Sequence, residues 1–262
     1  MIKNIRKKKQ AEILMSDPMV SKYFPESIEF STEALQDFMS RYDSVYLKPD
    51  GGGQGRGIIR VSKEENGMYS LKGYTPTGKD LSIKASNLRA IKEVIQPNAF
   101  FEKHRKYVIQ QGINSLSQNG QPLGIRVHTQ KLKNNWVRSG ILGKMVNSED
   151  GIVNRNRGAW AIPIRELLTD YAGMDVNKAI QIENEITTIS IKASQLFAEH
   201  YPWLDECGID IGLSQDGQPW IFEVNSNPSI AFFYQLPDKT MARGIFRNRR
   251  IKKSLKRLRK NK

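Results

Sequence analysis

The stretch CGIDIGLSQDGQPWIFEVNSN, residues 207–227, decides the fold. Asp216-Gly217 is a turn dipeptide of the kind that favours a two-residue primed hairpin. With that turn, Gln215 faces Gln218, Asp210 faces Glu223, and Asn225 lies two residues on along the same face. The other face receives Ile209, Ile211, Leu213, Trp220, Phe222 and Val224, all apolar. One face is written for a core and the other for polar chemistry. A slip of one residue would bury the acids, so the register is well determined.

Two carboxylates directly opposed on a sheet repel each other, and a cation between them removes that penalty. Two acids and an amide oxygen form a hard-oxygen donor set, suited to magnesium that also takes phosphate oxygens or water. Asp210, Glu223 and Asn225 are therefore candidate metal ligands, with a solvated polar face as the competing reading.

Upstream, YLKPDGGGQGRGI sets Lys48 at a strand end, ahead of five glycines within residues 51–57. Glycine lets backbone N–H groups turn inward and approach a polyanion, and Lys48 adds a positive charge at one phosphate. The common phosphate-binding loop is excluded, because no Gly-Lys-Ser/Thr follows and the next element reads as a strand. Alone, this segment reads as a flexible hairpin loop. Beside the acidic hairpin, it reads as a lid over a nucleoside triphosphate held by a metal.

The rest of the chain mixes strands and helices without strict alternation, which predicts an α+β fold with mainly antiparallel sheets. Helices are expected at 31–42, with Ser31 or Thr32 as cap, at 85–96, ended by Pro97, and at about 177–200. In the last, Ile182, Ile186, Ile189, Ala193, Leu196 and Phe197 keep a 3.6-residue period. Strands are expected at 44–48, 57–62, 67–74, 106–111, 123–131 and 135–146.

The chain has 262 residues, 39% hydrophobic and 26% charged, too apolar for disorder throughout. No run of 18 apolar residues exists, so no membrane-spanning helix is expected, and the basic start reads as no secretory signal. Cys207 is the single cysteine, which excludes an intrachain disulfide framework and points to a reducing, cytoplasmic compartment. His104, His128 and His200 share no metal-ligand spacing and read as structural; Cys207 reads as packed.

The net charge is +14, but its distribution matters more. Residues 243–262 carry 11 Lys and Arg and no acid, residues 1–9 carry five more and no acid, and the body between is at −2. A nucleic-acid footprint would spread its excess over the folded surface. Ile251, Leu255 and Leu258 fall on one helical face of the basic tail, which suits contact with an anionic polymer or surface; a solvated terminal helix is the alternative.

The stretches YLKPDGGGQGRGI, YVIQQGI, GIRV, NRNRGA and GIDIGLSQDGQPWIFEVNSNPS together resemble the ATP-grasp family, in particular its YheC/YheD type of endospore coat-associated protein. The match covers roughly residues 7–235. The resemblance implies two α+β subdomains gripping ATP between them: 1–113 with the glycine-rich lid and 114–242 with the metal hairpin, followed by the basic tail. It implies that Lys48 with Gly52, Gly53, Gln54 and Gly55 meets the ATP phosphates, and that Gln110, Gln111 and Ile113 meet adenine. Asn154 and Arg157 resemble the family's loop near the transferred phosphate, and Arg126 its strand arginine. Lys144 stands where many members carry arginine, Gly124 where an acid is usual and Ala159 where glycine is usual. Lys7, Lys8 and Lys9 are the candidates for the first ATP lysine.

The function so implied is an ATP- and magnesium-dependent carboxylate–amine ligase acting through an acyl phosphate. Arg126, Lys144 and Arg157 would stabilise the phosphoryl oxygens. The alternative is a nucleotide-binding coat or scaffold protein without ligation, for which the three departures and the coat association speak.

Overall fold

The computed structural model describes residues 5–51, 55–91, 106–148 and 150–260. Two antiparallel sheets carry the architecture. The first has six strands, β1 (Ser27–Glu29), β2 (Ser44–Pro49), β3 (Ile59–Lys63), β4 (Tyr69–Tyr74), β5 (Asp80–Ala85) and β6 (Tyr107–Gln111), in the order β1-β6-β2-β3-β4-β5. The second has five, β7 (Leu123–Leu132), β8 (Asn135–Met145), β9 (Trp160–Ile162), β10 (Glu206–Leu213) and β11 (Pro219–Asn225), in the order β11-β10-β7-β8-β9.

Each sheet is covered by helices whose apolar spacing demands it. Helix α1 (Lys7–Met15) buries Ile13 and Leu14 in the core of the second sheet. Its first turn is tied to the end of β2, where Lys7 N–H donates to Asp50 O at 2.9 Å and Lys8 N–H to Asp50 Oδ1 at 2.8 Å. An acid at a helix N-terminus also complements the helix dipole. Helix α2 (Thr32–Arg41) starts at Ser31, whose hydroxyl accepts from Ala34 N–H at 3.0 Å. It packs Leu35, Phe38 and Met39 on Val45, Leu47, Val61 and Leu71 of the first sheet.

Helix α3 (Val176–His200) is capped by Asp175, which accepts from Lys178 N–H at 2.9 Å. The predicted period holds: Ile182, Ile186, Ile189, Ala193, Leu196 and Phe197 are buried against the second sheet. Burying such aliphatic or aromatic side chains contributes roughly 1.5–3 kcal/mol each. Helix α4 (Thr240–Lys260) covers the basic segment, and its Ala242 and Ile245 join Phe232, Phe233 and Leu236 in a small separate cluster. Among the described residues no helix is long and apolar enough to cross a membrane.

Two local expectations are corrected. The helix expected over 85–96 begins later, because Ala85 closes strand β5 and helical backbone starts at 89; residues 92–96 lie outside the described ones. The hairpin turn is a three-residue loop, not a two-residue one. Ser214 N–H donates to Gln218 O at 3.0 Å, Gly217 N–H to Ser214 O at 2.9 Å, and Gly217 has φ +85. This is a type I turn closed by a glycine bulge, which Asp-Gly serves as well as it serves the primed turn.

A second bulge follows Asp210. Asp210 pairs with Glu223 as expected, but Ile211 pairs with Ile221, so Phe222 is the extra residue. Ile221 therefore enters the core in place of Trp220 and Phe222. Trp220 is half-buried and donates its indole N–H to Ser214 Oγ at 3.2 Å. Phe222 is turned to the polar face, and its ring lies over Gly212, where a Cβ would sit 2.3 Å away.

Candidate active site

A row of charge runs across three neighbouring strands. Arg126 of β7 pairs with Asp210 of β10, which pairs with Glu223 of β11. Directly paired positions share a face, so these side chains meet. Arg126 grips Asp210 with two hydrogen bonds, Nε to Oδ1 at 3.0 Å and an Nη to Oδ2 at 2.8 Å. Lys144 of β8 donates to Asp210 Oδ1 at 2.6 Å, and Asn225 Nδ2 to Oδ2 at 3.0 Å. Glu223 Oε1 accepts from Lys7 Nζ at 3.1 Å.

The repulsion that pointed to a metal is thus offset by the chain's own cations. Burial alone would raise the Asp210 carboxyl, but Arg126 and Lys144 outweigh it and hold the group at about 2. Burial pushes the Lys144 ammonium down, against the upward pull of Asp210. Burial likewise lowers Lys48 to about 8, and neighbouring Lys7 adds to the fall. Lys48 donates to Gln110 Oε1 and lies 5.7 Å from the Tyr46 ring centroid and 5.6 Å from that of Phe222. Two aromatic faces partly replace the water lost by a half-buried ammonium.

All of these groups except Lys7 line one cavity of about 410 Å³ between the sheets, a volume within the range of small-molecule sites. Lys48 and Gln110 enter from the first sheet, Arg126, Lys144, Asp210, Glu223 and Asn225 from the second, and Gly55, Ile113 and Asn154 from connecting segments. Gly55, at the described end of the glycine-rich loop, comes close to Asn154, whose amide would lie 3.6 Å from an added Cβ.

Two expected site residues are directed elsewhere. Gln111 does not line the cavity; its side-chain oxygen accepts from Glu26 N–H at 3.3 Å. Arg157 does not line it either; its guanidinium lies over the Tyr74 ring, 3.8 Å from Asp80 of β5. Gly52, Gly53 and Gln54 lie outside the described residues.

Among the three N-terminal lysines, Lys7 reaches the site, whereas Lys8 pairs with Glu29 and Lys9 with Glu12. Sequence reading left them equal; their phase on α1 relative to β11 separates them. Tyr46 and Phe222 were missed as site residues, Phe222 because only the bulge aims it inward. Ala159 is buried in the cluster with Phe232 and Phe233, where a methyl adds packing that glycine lacks. Gly124 pairs with Lys144 across the β7–β8 ladder and leaves room for its chain, 3.5 Å from an added Cβ. His128 and Cys207 are buried as expected, and burial pushes the Cys207 thiol up to about 12.

Among the described residues no three His, Cys, Asp or Glu side chains gather as a metal-binding set. A divalent ion here would rest on Asp210, Glu223 and the Asn225 amide oxygen. That donor set fits magnesium, because it supplies few, hard oxygens and leaves positions for phosphate and water.

A family model described as YheC/D like ATP-grasp matches residues 3–250. The endospore coat-associated protein YheD of Bacillus subtilis (strain 168) is 27% identical over 231 residues, 85% of this chain and 48% of that protein. YheC of the same organism is 25% identical over 222 residues, 82% of this chain and 57% of that protein. The chain thus spans about half the length of these relatives. The D-alanine-D-alanine ligase from Coxiella burnetii superposes with a TM-score of 0.52 at 12% identity, covering 98% of this chain and 62% of that one, a likeness of fold.

Proposed function

This chain belongs to the YheC/D-like ATP-grasp family, and from that premise we propose that it is an ATP-dependent ligase joining a carboxylate to an amine through an acyl phosphate. One observation carries the reading. A single cavity between the two sheets gathers Lys48, Arg126 and Lys144 around two opposed carboxylates.

In this reading Lys48 and Lys144 release their present partners and bind phosphate oxygens, and Lys7 does the same from α1. Lys48 and Lys144 line the cavity and Lys7 is partly buried beside it against Glu223, and in such a partly desolvated setting a cation acts more strongly on an anion than in water. Arg126 holds Asp210 in place by its fork. Gln110 and the Ile113 segment hold the base, with Tyr46 and Phe222 as apolar walls. Asp210, Glu223 and Asn225 would hold magnesium, which would supply charge neutralisation at the phosphates. The glycine-rich loop excludes water that would hydrolyse the acyl phosphate. Arg157 takes part only if the 154–158 loop swings away from Tyr74 and Asp80.

The second reading is a nucleotide-binding coat or scaffold protein. It draws on the coat association of YheD and YheC and on Gly124, Lys144 and Ala159. ADP and phosphate release from ATP and magnesium separates the two. Release that rises with an added amine acceptor supports ligation. Nucleotide binding without release under a panel of amines and carboxylates supports the second.

A further inference from the structure

The outward face of α4 carries a charged row that the cavity does not use. Arg243, Arg247, Arg250 and Arg257 recur at steps of four, three and seven residues, the repeat that aligns side chains on one helical face. All four are exposed, and none makes an ion pair among the described residues; Asp238, at the start of the helix, is the acid near Arg243. The row is about 21 Å long at helical rise.

The opposite face is pinned, so the row is held in one orientation. Ala242 and Ile245 are buried, Arg249 Nε lies 2.9 Å from Glu206 Oε2, and Lys252 Nζ donates to Asp205 O at 2.6 Å. Along the margins, Phe246, Ile251 and Leu255 are 50%, 51% and 53% exposed. With Tyr234 they frame a shallow groove of about 500 Å³.

The arrangement selects among anionic partners. A helix that lies on lipid centres its apolar residues and sets cations at the margins; here arginines hold the centre. A nucleic acid also accepts arginines clustered along a helix, but the exposed Ile251 and Leu255 beside the row offer aliphatic surface that has no counterpart on a phosphate backbone. Arginine forks match carboxylates in a planar, paired geometry, and exposed aliphatic margins match apolar side chains. We propose that this face of α4 docks an acidic polypeptide segment that presents carboxylates at three- and four-residue spacing beside apolar residues. The proposal is independent of the nucleotide cavity.

The test is fluorescence anisotropy with the full chain and a labelled peptide carrying Glu at three- and four-residue steps flanked by Leu. A scrambled peptide of equal charge, a single-stranded oligonucleotide and phosphatidylglycerol vesicles are run in parallel. Saturable binding of the patterned peptide, tighter than of the other three probes and weakened at least tenfold by the triple change Arg243→Glu, Arg247→Glu and Arg250→Glu, is expected. The charge-matched change Lys63→Glu, Lys79→Glu and Lys133→Glu should leave binding within twofold. Helical content by circular dichroism checks that the arginine variant folds, and Phe246→Ser provides a second reading that keeps every charge and should also weaken binding. No binding, equal binding of the scrambled peptide, tighter binding of oligonucleotide or vesicles, or insensitivity to both sets of α4 changes would overturn it.

Discussion

Lys7 Nζ lies 3.1 Å from Glu223 Oε1, joining residues 216 positions apart in the chain. The contact exists because α1 is tied to Asp50 at its first turn and packs Ile13 and Leu14 on the second sheet. The N-terminal helix thereby delivers a cation to the acid of the last strand. Glu223 is neutralised from the side of α1, and Asp210 from the side of β7 and β8.

If Lys7 transfers from Glu223 to phosphate, Lys7→Ala should weaken ATP binding about tenfold, or about 1.4 kcal/mol. Lys8→Ala removes a charge from the next position, whose partner is the exposed Glu29, and should change binding less than twofold. Isothermal titration of the two variants distinguishes a specific contact from a general loss of charge; equal effects would remove Lys7 from the site.

Glu223→Gln keeps the size and removes the charge. We expect the protein to fold and magnesium-dependent ATP turnover to be lost. Turnover that persists with the wild-type magnesium dependence would exclude this carboxylate from the metal set.

Gly212→Ala tests the bulge. The added Cβ would meet the Phe222 ring at 2.3 Å, closer than any real contact, so the ring must leave its position. A cost of about 1–3 kcal/mol in urea unfolding is expected for such overpacking, together with weaker nucleotide binding. A variant as stable as the parent, with unchanged affinity, would show that Phe222 adapts without effect on the cavity.

Glu206 sets a pH dependence away from the site. Burial would raise its carboxyl, but hydrogen bonds with His128 and Arg249 depress it from 4.5 to about 2. A depressed acid contributes stability that is full above its unfolded pKa and lost as pH falls through the folded one. That contribution disappears between about pH 4.5 and 2. Glu206→Gln should flatten the stability profile over that window; denaturant midpoints measured at pH 5, 4 and 3 decide it.

Alternation along 206–225 was legible because a strand facing a core must repeat with period two, and the Asp210–Glu223 pairing survives in the structure. The helix at 176–200 was legible for the same reason with a period of 3.6. Both are local consequences of where apolar side chains fall. The bulge at Phe222 left no such mark, since Trp220, Ile221 and Phe222 are all apolar and any two satisfy the pattern.

Chain order and composition were enough for the long helix, six of the strands and the acidic hairpin, the two opposed acids, the lysine before the glycines and the bare charge of the tail, but not for the helix Lys7–Met15 or the strand Asp80–Ala85. Assignment of partners came only from the folded arrangement. Arg126 and Lys144 converge on Asp210, Lys7 rather than Lys8 reaches Glu223, and Arg157 turns toward Tyr74 instead of the cavity. Backbone period sets which face a side chain takes within its own element, whereas ion pairing depends on distances between elements far apart in sequence, and those follow from how helices and sheets pack.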